Sequence, residues 1–193
     1  MNPISLPDSS LTRRDAIKRA ALLLGVAISP SIFNGVLHAQ PVAAGAKPRF
    51  LTAQQFATVG AMAERILPRT DTPGALDAGV PAFIDFMFGE FLTAEEKERL
   101  TKGVVATDTA SIRTHRAAFA QLPGEQQDRV LQAAADAADN DPKSFFYQIK
   151  ELTVVGYFTS EIVGKTVTHY EPVPGPFQGC VPIAETGNKA WTR

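Results

Sequence analysis

Three histidines, one cysteine and a run of aspartates are the side chains whose types could carry chemistry in this 193-residue sequence. General acid–base work needs a histidine or carboxylate facing a second titratable group. A zinc centre needs three or four His, Cys or carboxylate ligands. His38 falls in an N-terminal stretch with the features of an export signal, which leaves His115 and His169 about fifty residues apart. His115 stands in Arg113-Thr114-His115-Arg116, a string that reads as a solvated helix face, and His169 beside Tyr170 reads as a packed or capping residue. Asp71, Asp77 and Asp85 surround one turn but lack the alternating ligands, mid-loop glycine and terminal glutamate of a calcium loop. Asp71 and Asp77 are therefore expected to serve the turn itself. Ser160, in Gly156-Tyr157-Phe158-Thr159-Ser160-Glu161, is not followed by the glycine of a nucleophile elbow and is read as structural. There is no glycine-rich dinucleotide fingerprint and no phosphate loop, and haem attachment needs two cysteines where this chain has one. The expectation is a chain with no catalytic, cofactor-binding or metal-binding residue of its own. A small enzyme is the rival reading, and it would require His169 with Glu171, or Asp71 with Asp77, to converge in a pocket.

The N-terminus asks for a different function. Thr12-Arg13-Arg14-Asp15-Ala16-Ile17-Lys18 precedes an apolar run from Ala20 to Ile28, less than half of the roughly 20 residues that span a bilayer. Charged region, modest apolar stretch and small residues in that order form a removable signal, and Arg13 and Arg14 point to the twin-arginine route. Cleavage is expected after Ala39 or after Ala46, so that residues 1–46 are signal and linker and residues 47–193 the mature domain. Because that route carries folded proteins, the chain should hold a cofactor or accompany a protein that does. A membrane-attached scaffold with an uncleaved signal is a further alternative.

About 150 residues remain, enough for one domain with a real core. Residues 1–39 hold four of the 19 basic and two of the 20 acidic residues, leaving a balance near −3. That gives no electrostatic footprint for nucleic acid. Apolar periodicity and capping signals predict an all-α fold. Thr52 with Gln55 opens a first helix that Pro68 ends, Pro81 starts a second through Phe91, and Thr93 with Glu96 opens a third toward Phe119, broken near Asp108. An alanine-rich helix from Glu125 to Ala138 follows, and a last one from Lys143 to about Gly164 presents Phe145, Ile149, Leu152, Val155 and Phe158. The stretch HYEPVPGPFQGCVP holds four of the 14 prolines, so residues from about 165 to 193 are expected to form an extended Pro/Gly-rich arm. Twelve phenylalanines, four of them between Phe83 and Phe91 in an element that is core or interface, are compatible with apolar surface beyond what a core of this size hides. Phe83, Phe88 and Phe91, with Tyr170, Pro174 and Phe177 of the arm, are the candidate partner interface. Cys180, a lone cysteine in an exported chain, is a candidate for an intersubunit disulfide.

Three stretches together, the twin-arginine start, FLTAQQFATVGAMAERILPRTDTPGALDAGVPAFIDFMF (Phe50 to Phe88) and ELTVVGYFTSEIVGKTVTHYEPVPGPFQGCVP (Glu151 to Pro182), resemble the gluconate 2-dehydrogenase subunit 3 family. Its members are small non-catalytic subunits of bacterial periplasmic flavin-dependent sugar and sugar-acid dehydrogenases. The resemblance implies a large partner, similar to glucose-methanol-choline oxidoreductases, that folds around FAD in the cytoplasm without an export signal. The small subunit would supply the signal, engage the twin-arginine translocase and assist maturation. A multihaem cytochrome c subunit would take the electrons onward. FAD and haem would thus lie in partners, and this chain would hold neither.

Overall fold

The computed structural model describes residues 47–170 and 180–192, and Arg13, Arg14, Glu171, Pro174 and Phe177 lie outside that range. Six α-helices make up the described body: α1 (Ala53–Ile66), α2 (Val80–Glu90), α3 (Ala94–His115), α4 (Gly124–Ala137), α5 (Phe145–Phe158) and α6 (Glu161–Thr166). Two-residue strands β1 (His169–Tyr170) and β2 (Trp191–Thr192) pair in parallel.

Local chemistry starts the helices. Thr52 Oγ1 accepts from the Gln55 amide while Gln55 Oε1 accepts from the Thr52 amide, and Thr93 with Glu96 repeats the reciprocal arrangement at the head of α3. Each box satisfies two amides that the first turn leaves without an intrahelical acceptor. α1 and α5 form the centre, each packed on α2, α3 and α4. Val59 and Met62 of α1, Ile84 and Met87 of α2, Leu100 and Val104 of α3, and Ile149 and Leu152 of α5 close the core. Ahead of α1, the buried Asp85 carboxylate of α2 accepts three backbone amides, from Arg49 (2.8 Å), Phe50 (3.1 Å) and Leu51 (2.7 Å). That clamp fixes the chain where it enters the body.

Three boundaries differ from the sequence expectation. α3 does not break at Asp108. Its carboxylate is buried and accepts from Thr58 Oγ1 (3.0 Å), Gln54 Nε2 (3.1 Å) and the Phe119 amide (3.1 Å), so the helix runs on to His115 and ends at Arg116 in the left-handed region (φ 64°). The last long helix does break. Ser160 donates to Tyr157 O and accepts from the Val163 amide, capping a separate α6. A serine hydroxyl offers the backbone this alternative to continued helix. The arm is also not wholly extended: α6 runs to Thr166, Ile183–Thr186 forms a 3-10 turn, and β2 returns to β1.

The α3–α5 contact rests on an absent side chain. The Phe145 ring sits over Gly103, where an added Cβ would lie 2.0 Å from a ring carbon. Gly103→Ala should therefore destabilise the protein by about 1–3 kcal/mol through forced displacement of that ring. Urea unfolding checks this, and Phe145→Leu in the same chain should recover part of the loss, since contacting sites are not additive.

Candidate partner surface

The turn between α1 and α2 is the most heavily hydrogen-bonded connection in the described chain. Glu64, in the last turn of α1, accepts the amides of Arg69 (3.0 Å) and Leu76 (2.9 Å). Asp77 accepts the Gly74 amide (3.0 Å) and faces the Arg69 guanidinium at 3.4 Å, while Thr70 Oγ1 donates to Asp71 (2.9 Å). From α5 the Tyr157 hydroxyl reaches across to donate to Pro73 O (2.7 Å). A Cβ on Gly74 would lie 2.4 Å from Glu64 Oε1 and 2.8 Å from the Arg69 amide nitrogen, so only glycine lets the chain pass this close. Asp71 and Asp77 thus bond to groups of their own turn, and Ser160 caps α6. The turn holds Leu76 half-exposed on a fixed backbone.

The second feature is the end of the molecule where α5, α6 and β1 meet. Phe158, Ile162 and Tyr170 are exposed there, and Ile183, on the segment that returns to pair with β1, is exposed most of all at 64%. Glu161 and Lys165 pair one turn apart along α6; the hydrogen bond from Lys165 holds the Glu161 carboxyl below its usual range. The same bond raises the Lys165 ammonium above its usual value, with a smaller contribution from neighbouring Tyr170. Cys180 is exposed as a free thiol.

Of the expected interface residues, Phe83 is buried with its ring over Gly156, so within this chain it belongs to the core. Phe88 and Phe91 are half-buried; Lys97 stands 5.9 Å from the Phe88 ring, and Phe91 meets Phe86 edge to face at 5.3 Å. Tyr170 is half-exposed. Sequence periodicity placed Phe158 on a buried face, and it is 47% exposed because the helix ends there. Leu76, Val105, Ile112, Ile162 and Ile183 were not singled out by the sequence. Apolar character alone carried no signal of their side.

Two open clefts of about 300 Å³ flank α1. The first lies against α3, with Asp108 in its wall already engaged by Thr58, Gln54 and Phe119. At the second, Arg65 grips Asp128 through two 2.6 Å bonds, and those bonds hold the Asp128 carboxyl below its usual range. Neither lining sets a nucleophile beside a base. His169 pairs through its backbone amide with Ala190 O, and its proposed companion Glu171 lies outside the described residues. Among the described residues no three His, Cys, Asp or Glu side chains are placed to hold a metal, and no helix is long and apolar enough to cross a membrane.

Comparison with curated proteins and comparison with solved structures returned no match. The family model for gluconate 2-dehydrogenase subunit 3 matches residues 53–175. That span begins at the first residue of α1 and takes in the Glu64-centred turn, the Ser160 break and β1. With most of the chain matched, this protein belongs to the gluconate 2-dehydrogenase subunit 3 family.

Proposed function

We propose that this chain is the non-catalytic small subunit of a periplasmic flavin-dependent dehydrogenase for a sugar or sugar acid. Its catalytic partner would be a glucose-methanol-choline type FAD subunit. The observation that carries the reading is the family match over residues 53–175, which makes the chain an accessory subunit of a dehydrogenase complex. The engagement of Asp71 and Asp77 in bonds of their own turn supports it, because they are one of the two pairs that a rival enzyme would use. Arg13 and Arg14 would bring the twin-arginine translocase to the complex, FAD would sit in the large subunit, and a multihaem cytochrome c would accept the electrons. Exposed Cys180 would be available to a partner thiol within disulfide reach.

Affinity purification of the tagged chain from periplasm tests the reading. A flavoprotein should co-purify, with flavin absorbance and sugar-dependent dye reduction in the complex and neither in the isolated chain. A non-reducing gel should show a band at the summed mass that collapses with reductant and is missing in Cys180→Ser. Stoichiometric flavin in the pure chain would overturn the non-catalytic assignment. A free Cys180 thiol in the complex would remove the covalent link alone.

A further inference from the structure

The segment from Cys180 to Thr192 is organised mainly by its own bonds. The Glu185 amide donates to Pro182 O (2.9 Å), Gly187 to Ala184 O (3.1 Å) and Asn188 to Ile183 O (2.9 Å). The buried Thr186 hydroxyl lies 2.8 Å from both Ile183 O and Lys189 O, and Gly187 at φ 65° closes the turn. Its 3-10 turn makes no extended contact with any helix of the body. Among the described residues, hydrogen bonds attach it to the rest at two places. One is the β1–β2 pairing, with the His169 amide on Ala190 O at 2.7 Å. The other is Lys189, whose ammonium donates to Thr166 O at 2.7 Å.

Thr166 is the last residue of α6, so Lys189 places a positive charge where that helix presents unsatisfied carbonyls. α6 has six residues, far below the length at which a helix holds alone. Glu161 in its first turn and Lys165 in its last help it, as does Thr168 Oγ1 bonded to Gly164 O (3.0 Å). α6 is tied to the core by fully buried Val163, as α1 and α5 are by Val59, Met62, Ile149 and Leu152, whereas the buried residue of the 180–190 segment is the polar Thr186. Elements fixed by few exposed polar bonds open at lower free energy than elements fixed by a packed core.

We propose that residues 180–192 form a strap, latched at α6 by Lys189 and at β1 by His169, which opens as one unit while the helical body stays folded. Opening withdraws Ala190 from the His169 amide and carries Ile183 with the strap, because Ile183 O is bonded to Asn188 and Thr186 within its turn. The end where α5, α6 and β1 meet therefore exists in two arrangements, with the strap paired on β1 or released from it. The lysine latch is the element that sets their balance.

Amide hydrogen exchange on the full chain tests the strap. The His169 amide should exchange at least about a hundredfold faster than amides of Val59 and Leu152, showing opening without global unfolding. Lys189→Met, which keeps the stem but removes the ammonium, should speed His169 a further threefold to tenfold and leave the Val59 and Leu152 rates unchanged. A chain ending at Gly179 should show His169 unprotected and the same unfolding midpoint for the body. Exchange of His169 at the core rate would overturn the proposal, as would a Lys189→Met chain in which His169 is unchanged or in which core rates rise equally.

Discussion

On the proposed carrier role, Arg13→Lys with Arg14→Lys should leave this chain, and with it the proposed flavoprotein subunit, in the cytoplasm, and periplasmic dehydrogenase activity should fall at least about tenfold. The double substitution keeps both positive charges. What it removes is the planar guanidinium, whose rigid set of donors a receptor can read as a shape and a flexible ammonium cannot reproduce. General attraction to an anionic membrane surface would survive the change, so loss of export isolates recognition from charge. Both residues precede the body that Asp85 clamps at Arg49 to Leu51, and the unfolding midpoint should not move. The measurement is fractionation of cells followed by immunoblot for both subunits and dye reduction in each fraction. Cytoplasmic flavoprotein that is active, with an empty periplasm, is the expected pattern. Full periplasmic activity in the double mutant would mean that the large subunit travels without this chain, and the carrier role would be lost while family membership stood.

The parts of the fold legible in the sequence are those decided within four residues. Thr52 with Gln55 and Thr93 with Glu96 begin helices because both partners of each capping box are local, and Pro68 and Pro81 bound the turn by removing backbone amides. Legibility fails where partners are distant in sequence. Asp108 looks like a helix breaker until Thr58, fifty residues away, and the Phe119 amide are brought to it. Glu64 looks like one more surface carboxylate until the turn folds back and offers it the amides of Arg69 and Leu76. Ser160 is the exception, for its partners Tyr157 O and the Val163 amide are three residues away, but it stands inside an apolar run that continues on both sides and lacks the Glu or Gln of a capping box, so its cap does not show in the sequence. The partner surface was the least legible part. Counting phenylalanines identifies an apolar excess but not its side, which is why Phe83 is in the core while Phe158, Ile162 and Ile183 face outward.

Asp108→Ala should cost about 3 kcal/mol of folding stability. The carboxylate ties three separate pieces of chain: α1 through Gln54 and Thr58, its own helix α3, and the Phe119–Gln121 turn through the Phe119 amide. Truncation leaves the Thr58 hydroxyl and the Phe119 amide buried without this acceptor, and each orphaned group costs about 1–3 kcal/mol. Against that stands the relief of no longer desolvating a carboxylate, which offsets part of the loss. Asp108→Asn separates the two contributions. Its carbonyl can still accept from one donor, but its amide NH2 replaces the second oxygen and confronts Gln54 or Phe119 with another donor, so an intermediate loss of about 1–2 kcal/mol is expected. Thr58→Val in the Asp108→Ala background should add less than it does alone, because the hydroxyl has already lost its partner. Urea unfolding of the unsubstituted protein and the four variants, with equal slopes required for the comparison, supplies all of these differences. A loss below about 1 kcal/mol for Asp108→Ala would mean that Phe119 and Thr58 find other acceptors at once. In that case the segment after Arg116 would be held by the buried Phe119 and Leu122 side chains and by the Gln127 Nε2 bond to Phe119 O, and Phe119→Ala would have to carry most of the cost of releasing it.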